Sequence, residues 1–358
     1  MRILAFLLLS FLFADLASQA QSVKYSNEFM NLGVGARAQG MSNAVLSSTT
    51  GAEAGFWNPA GMVGQSSDME VSLMHAEYFA GIANYDYASI SRKISNDGVL
   101  GFSFIRFGVD DIPNTTQLIS AEGNINYDRV TGFSAADYAF LISYGQPISI
   151  DGLSVGGNSK IIRRVVGDFG SSWGFGFDLA AKYATSNSNF ALILKDITTT
   201  FNMWSFNLDS ATRATFEQTG NVIPSQSYET TLPQIILAAN NRFVFSESMG
   251  LTAEVALFVT TDGPRNVLFV SENLPLSADP ALGLEFDYKE VVFLRAGLGN
   301  FQRLTQQNGQ ESMSFQPNMG VGLRFGRVGI DYAFTDVADQ STALFSHVFS
   351  FKIGINKN

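Results

Sequence analysis

The stretch Gly174-Phe-Gly-Phe-Asp-Leu-Ala-Ala-Lys-Tyr183 decides the fold, because large apolar side chains fall on every second position. Phe175, Phe177, Leu179, Ala181 and Tyr183 share one side; Gly174, Gly176, Asp178, Ala180 and Lys182 share the other. Successive side chains of an extended strand point to opposite faces, so this is a strand with one oily face and one small or polar face. The same split recurs outward along the chain. Leu282, Leu284, Phe286 and Tyr288 oppose Gly283, Glu285 and Asp287, while Val292, Leu294, Ala296 and Leu298 oppose Phe293, Arg295 and Gly297. Met319, Val321, Leu323 and Phe325 alternate with Gly320, Gly322 and Arg324, and Val328, Ile330, Tyr332 and Phe334 with Gly329, Asp331 and Ala333. The last segment sets Phe349, Phe351, Ile353 and Ile355 against Ser350, Lys352 and Gly354. Two earlier segments, Leu100 to Phe104 and Ala253 to Val259, repeat the pattern.

Weaker segments near 69–75, 84–92, 138–145, 153–164, 189–197 and 234–243 bring the expected total to about fourteen strands, within the range of transmembrane barrels. Segments 84–92 and 153–164 alternate poorly. The connections sort by parity. Short turns follow the even strands at 95–98, 148–152, 185–188, 246–250, 289–290 and 326–327; long loops follow odd ones at 108–137, 198–232, 261–280, 299–318 and 335–346. Short periplasmic turns and long extracellular loops are the asymmetry of outer-membrane barrels. The expected fold is therefore all-β: a transmembrane antiparallel β-barrel over residues 69–358, in the cell outer membrane. An exported soluble sandwich or propeller also alternates, but its polar face needs charge and hydration. Here that face is mostly Gly, Ala and Ser.

Composition agrees with a membrane-embedded sheet. The 358 residues carry 15% charged and 13% aromatic side chains with a mean hydropathy of +0.11. Past residue 20 no apolar run reaches the roughly 20 residues of a membrane-spanning helix. Arg2, the apolar run Ile3 to Phe13 and Ser18-Gln19-Ala20 read as a secretory signal peptide, residues 1–20, cleaved after Ala20. Cysteine is absent, which excludes disulfides, lipidated cysteine and thiolate metal sites. A net charge of −10 argues against a nucleic-acid partner.

Residues 21–68 do not alternate. They hold Asn31-Leu-Gly-Val-Gly-Ala-Arg-Ala-Gln-Gly-Met-Ser-Asn-Ala44 and Gly51-Ala-Glu-Ala-Gly-Phe-Trp-Asn-Pro-Ala-Gly-Met62. The glycines Gly33, Gly35 and Gly40 fail the spacing of a dinucleotide loop, and no Lys-Ser/Thr follows as in a phosphate loop. Ala36 to Val45 suits a short helix of small residues, and Asn58-Pro59-Ala60-Gly61 a turn. Together they would make a compact N-terminal plug, or hatch, inside the barrel.

With its Gly35-Ala-Arg37-Ala-Gln-Gly40-Met core and its Phe56-Trp57-Asn58-Pro59-Ala60-Gly61 turn, this segment resembles the PorV/PorQ family of outer-membrane proteins from Bacteroidota. Members look like relatives of the fatty-acid transporter FadL, with a fourteen-stranded barrel and a hatch. The resemblance implies a part in the type IX secretion system. There the protein would bind the translocon barrel or the C-terminal domain of secreted cargo through its extracellular loops and deliver cargo to the cell surface. The alternative is a FadL-like transporter of hydrophobic small molecules. The motif does not select among PorV-type, PorQ-type and other paralogues.

No enzyme is expected, and no catalytic, cofactor or metal site. The two histidines, His75 and His347, fall on adjacent strands near the outer rim and read as interfacial polar residues rather than a metal pair. Asp110-Asp111, on a long loop, reads as solvated or as a weak calcium site. The predicted lumen charges are Asp178, Lys182, Glu254, Glu285, Asp287, Arg295, Arg324, Asp331 and Lys352, with both signs on neighbouring strands. Charges out of water need partners, so they read as a structural ion-pair network; a polar conduit, opened by movement of the plug, is the alternative. Phe107, Ile112, Tyr127, Phe133, Phe201, Trp204 and Phe206 on or beside the long loops are candidate partner-binding residues or membrane-interface anchors. Besides translocon or cargo, outer-membrane lipid is the expected partner. The chain ends in Asn356-Lys357-Asn358 rather than on an aromatic residue.

Overall fold

A computed structural model describes residues 26–79, 81–94, 97–119, 124–223, 227–271, 273–305, 309–335 and 346–356. The expected signal peptide and most of the expected loop 335–346 lie outside the described residues. Seventeen strands form one sheet. They are β1 Met69–Tyr78, β2 Ala83–Lys93, β3 Val99–Asn114, β4 Thr131–Pro147, β5 Leu153–Val166, β6 Gly170–Ala184, β7 Ser188–Lys195, β8 Thr200–Phe206 and β9 Ser227–Thr231. The remainder are β10 Gln234–Ser246, β11 Met249–Thr260, β12 Phe269–Val270, β13 Ser277–Tyr288, β14 Val292–Thr305, β15 Glu311–Phe325, β16 Val328–Thr335 and β17 Ser346–Ile355.

All strands but β8, β9 and β12 pair in chain order, and β1 meets β17 antiparallel from Met69↔Ile355 to Glu77↔His347, which closes a barrel of fourteen strands. Closure leaves these fourteen strands without an unpaired edge, a condition for a sheet in hydrocarbon. The exterior is the oily face: Phe175, Phe177 and Leu179 are exposed, whereas Asp178, Glu254, Glu285 and Arg295 on the opposite face are buried. A closed barrel with an apolar outside is a transmembrane barrel of the outer-membrane type. Tight turns join the strands at one end, such as Lys289-Glu290, both with positive φ as a two-residue hairpin of the favoured twist demands.

The long loops are shorter than the sequence suggests, because strands continue past the apolar band. β3 and β4 run up to Asn114 and down from Thr131, so Ile112 and Phe133 are paired strand residues rather than loop residues. Asp110 and Asp111 lie within β3 at a register shift, Asp111 with φ 57°. In 198–232, β8 prolongs β7 beyond a break at Asp196 to Thr199, and both pair with β6. Phe201, Trp204 and Phe206 therefore stand on β8. A helix, Ser210–Gln218, capped by Asp209, follows.

The core lies inside the barrel. Residues 26–67 run from the long-loop end, where Ser26 and Asn27 bond Glu229 and Thr231 of β9, to the short-turn end, where Gln65 bonds Ser91 of β2. Short helices at Ala36–Gly40, Ala54–Trp57 and Pro59–Gly64 pack against the inner wall, with Val34, Ala36, Met41, Leu46, Ala60 and Met62 fully buried. This explains the small inner face of the strands. A Cβ on Gly297 would come within 2.3 Å of the Met41 carbonyl carbon, and one on Gly156 within 2.5 Å of the Ala60 nitrogen. Those glycines make room for a second backbone.

Candidate functional site

The inner segment is held to the wall by charge as well as by shape. Arg37 sits in the helix Ala36–Gly40 and meets Glu285 of β13 at 2.9 Å, reaching Ser48 and Thr49 as well. Glu285 is shared with Arg295 of β14 at 2.6 Å, and Arg295 reaches Asp331 of β16 at 2.7 Å. Burial works against the charge on Arg37. The Glu285 carboxylate beside it, with Glu254 and Glu53 further off, nevertheless lifts its pKa above the ordinary arginine value.

Backbone amides of the segment are also taken up by wall or segment carboxylates. Glu254 accepts from the amides of Ser47 and Ser48, Glu70 from Ala52, and Glu53 from the Ser72 hydroxyl. Lys352 pairs with Glu70 at 3.2 Å, and Lys182 reaches the Thr49 carbonyl at 3.5 Å. Of the motif residues, Trp57 donates its indole N–H to the Val34 carbonyl at 2.9 Å, and Asn58 donates to Leu46 while accepting from Ala60. Pro59 opens the next helical turn, where its missing N–H costs nothing. Gly33 and Gly35 adopt positive φ, Gly40 touches Gly320, and a Cβ on Gly61 would strike the Thr49 carbonyl oxygen.

The remaining expected lumen charges stand apart. Asp178 pairs with Lys160 at 2.7 Å, beside Asp196 at the break between β7 and β8. Asp287 pairs with Arg242 at the short-turn end. Arg324 departs from the expectation: it is exposed at that end, over the Phe293 ring, below the reach of the inner segment. The histidines form no joint site. His75 bonds Asp86 at 2.7 Å and His347 bonds Tyr332 at 2.8 Å. Among the described residues no group of three or more His, Asp or Glu could hold a metal ion.

Above the inner segment, at the long-loop end, lies a cavity of about 680 Å³. Met30, Leu32, Trp57, Tyr78 and Phe258 give it an apolar side; Gln39, Asn43, Lys195, Arg265 and Asp279 give it a polar one. Lys195 carries no signal in the sequence, where it follows Leu194 as the last residue of an apolar run. Its ammonium stands 4.9 Å from the Phe56 ring centre and 5.8 Å from that of Trp57. Among the described residues no carboxylate pairs with it. The Asn43 carbonyl oxygen and the Tyr78 hydroxyl, which border the same cavity, also lack a protein partner. An apolar wall with a few converging polar groups is the usual make-up of a small-molecule site.

Arg265, on the loop after β11, lines one side of the cavity with Glu28 and pairs with both Glu28 and Asp262. Of the candidate partner-binding aromatics, Tyr127 and Phe201 are exposed, and Phe133 stacks edge-on against Phe169 at 5.1 Å. Trp204 is buried under Arg164 and stacks on Phe206. Phe107 packs inward against Tyr85.

No protein-family profile matches the chain, and no curated protein matches it. Solved structures do. The toluene transporter TodX of P. putida superposes with a TM-score of 0.55 at 12% identity, over 91% of this chain and 99% of that one. The monoaromatic hydrocarbon channel CymD gives 0.52 at 12% identity, over 91% and 98%. A FadL homologue of Pseudomonas aeruginosa gives 0.51 at 14% identity, over 89% and 97%. At these identities the likeness is one of fold: the chain is a FadL-like barrel.

Proposed function

We propose that this chain is an outer-membrane transporter of hydrophobic small molecules and not an enzyme. The observation that carries the reading is the cavity between the inner segment and the long-loop rim, apolar on the Trp57–Phe258 side and faced by the unpaired Lys195. The proteins of similar fold include a toluene transporter and a monoaromatic hydrocarbon channel. A ligand with an apolar body and an electron-rich or acidic end fits this lining. Transport would require residues 26–67 to shift, because their packing fills the barrel below the cavity.

The test uses Trp57 as reporter, with Trp173→Phe and Trp204→Phe removing the other two indoles. Titrating the purified barrel with toluene should shift the Trp57 emission, and Phe258→Asp should abolish the shift. Emission unchanged up to the solubility limit of toluene counts against the reading.

A second reading is favoured by the motif at Asn31–Met62 and its resemblance to the PorV/PorQ family: an outer-membrane component of type IX secretion that binds the translocon or the C-terminal domain of cargo. Its candidate contacts are Tyr127, Phe201 and the β8 rim. It predicts that Phe201→Ser with Tyr127→Ser abolishes co-purification of secreted proteins while leaving toluene binding intact.

A further inference from the structure

The outer wall of the barrel is uneven in a way the lumen does not require. On β15 every outward position from Met313 to Phe325 is apolar: Met313, Phe315, Pro317, Met319, Val321, Leu323 and Phe325. At about 3.3 Å per residue and a tilt near 40°, this covers about 30 Å of membrane depth, enough for the roughly 25 Å apolar band of such barrels. On β2 the pattern is inverted. Tyr85 and Tyr87 point inward and are fully buried, while Asn84, Asp86, Ala88, Ile90 and Arg92 point outward. Only Ala88 and Ile90 separate Arg92 from Asp86, so the apolar band there spans about 15 Å by the same geometry.

Asp86 is not isolated. It is directly opposite His75 on β1 and Arg106 on β3. The row is joined by His75–Asp86 at 2.7 Å, Asp86–Arg106 at 3.8 Å and Arg106–Asp110 at 3.4 Å, with Glu77 next to His75. These side chains lie on the exterior and keep substantial exposure, Glu77 57% and Asp86 42%. Ionised groups on a lipid-facing wall are destabilising in proportion to depth. Nothing inside the barrel gains from them, since the inward positions of the same strands are filled by Met74, Ala76, Tyr85 and Tyr87.

We infer that the outer face of β1 to β3 is an interface with another membrane protein, whose wall presents lysine or arginine side chains at the depth of Asp86. The charge balance of the row selects this occupant: three carboxylates, Glu77, Asp86 and Asp110, stand with one guanidinium, Arg106, and one imidazole, His75, while Arg92 lies at the opposite edge of the apolar band. An anionic lipid headgroup would be repelled, and a second copy presenting the same acidic row would be too. The inference is independent of what the lumen carries.

The experiment is in-cell photocrosslinking of the full chain in its native outer membrane, with benzoylphenylalanine at Leu73 or Ile90 and, as reference, at Val321 or Leu323. The expected result is an adduct with one discrete protein from Leu73 and Ile90 only, its crosslinked peptide bearing membrane-facing lysine or arginine. Adding Glu77→Lys and Asp86→Lys should remove that adduct while the barrel keeps its heat-modifiable migration. Lipid adducts alone at all four positions would mean that the bilayer thins beside β1 to β3 and would overturn the inference. So would an adduct with a second copy of this chain, or one that survives the charge reversal.

Discussion

Arg37 grips Glu285 through two hydrogen bonds of 2.9 Å, and the same carboxylate takes a third at 2.6 Å from Arg295. A residue of the inner segment is thereby tied to two neighbouring strands of the wall by one acid.

Glu285→Gln should leave Arg37 without its paired carboxylate and beside Arg295, which would keep only Asp331. Breaking a buried pair costs about 3 kcal/mol at the low end of the observed range, so the inner segment should loosen before the barrel melts. Limited proteolysis from the short-turn side should then cut within residues 36–50, with the barrel still heat-modifiable. The paired change Arg37→Met, Glu285→Met should recover part of the protection, because it removes the desolvated charges together.

Seating of the segment also depends on glycines of the wall. Gly297→Leu would push into the Met41–Ser42 backbone. Overpacking costs about 1–3 kcal/mol where neighbours can yield, and here the neighbour is backbone. The expected outcome is a closed barrel with an exposed inner segment, seen as faster amide exchange at 36–46. Gly329→Ala, whose Cβ would meet nothing nearer than 3.7 Å, should leave exchange there unchanged.

Much of this arrangement was legible in the sequence, and the exceptions have physical causes. Strands with an oily outside and a small inside, such as β6, β13, β15 and β17, carry a period-two signal that marks the outward face. β2 was read weakly because its large side chains, Tyr85 and Tyr87, fill the lumen while Asp86 faces out, which cancels the hydropathy contrast. β5 was weak because Ile161 and Ile162 fall on opposite faces and Lys160 lies inside. β8 and β9 fall in the expected loop 198–232, since the strand signal of Thr200 to Phe206 is broken from β7 by Asp196 to Thr199. Lys195 escapes sequence reasoning because a cation at a strand end reads as solvated, and Lys160 because β5 alternates too poorly to assign its face. Only the closure of the barrel brings Lys195 over Phe56 and Trp57.

The loop helix Ser210–Gln218 gives a pH test. Asp209 accepts from the Thr212 amide at 2.7 Å and from its hydroxyl at 3.1 Å, and these bonds hold the Asp209 carboxyl below the ordinary aspartate range. A carboxyl depressed in the folded state contributes stability above its unfolded pKa, near 3.9, and loses it as pH falls through the folded value. Protection factors of amides 212–215 should therefore drop on acidification below about pH 4. Asp209→Asn, a cap that does not titrate, should flatten that dependence.

Lys195→Met removes the one cation that, among the described residues, meets the cavity without a carboxylate partner. It should weaken binding of an acidic amphiphile such as a benzoate more than that of toluene, because only the former uses the ammonium. Equal effects on both, measured by Trp57 emission, would show that Lys195 shapes the cavity without reading charge.

The most direct test of the central claim is native mass spectrometry of the barrel purified from its own outer membrane in a mild detergent. The account predicts a co-purifying hydrophobic small molecule, released by Phe258→Asp. A barrel that carries no such molecule in either form, but retains a secretion component or secreted cargo, would contradict it.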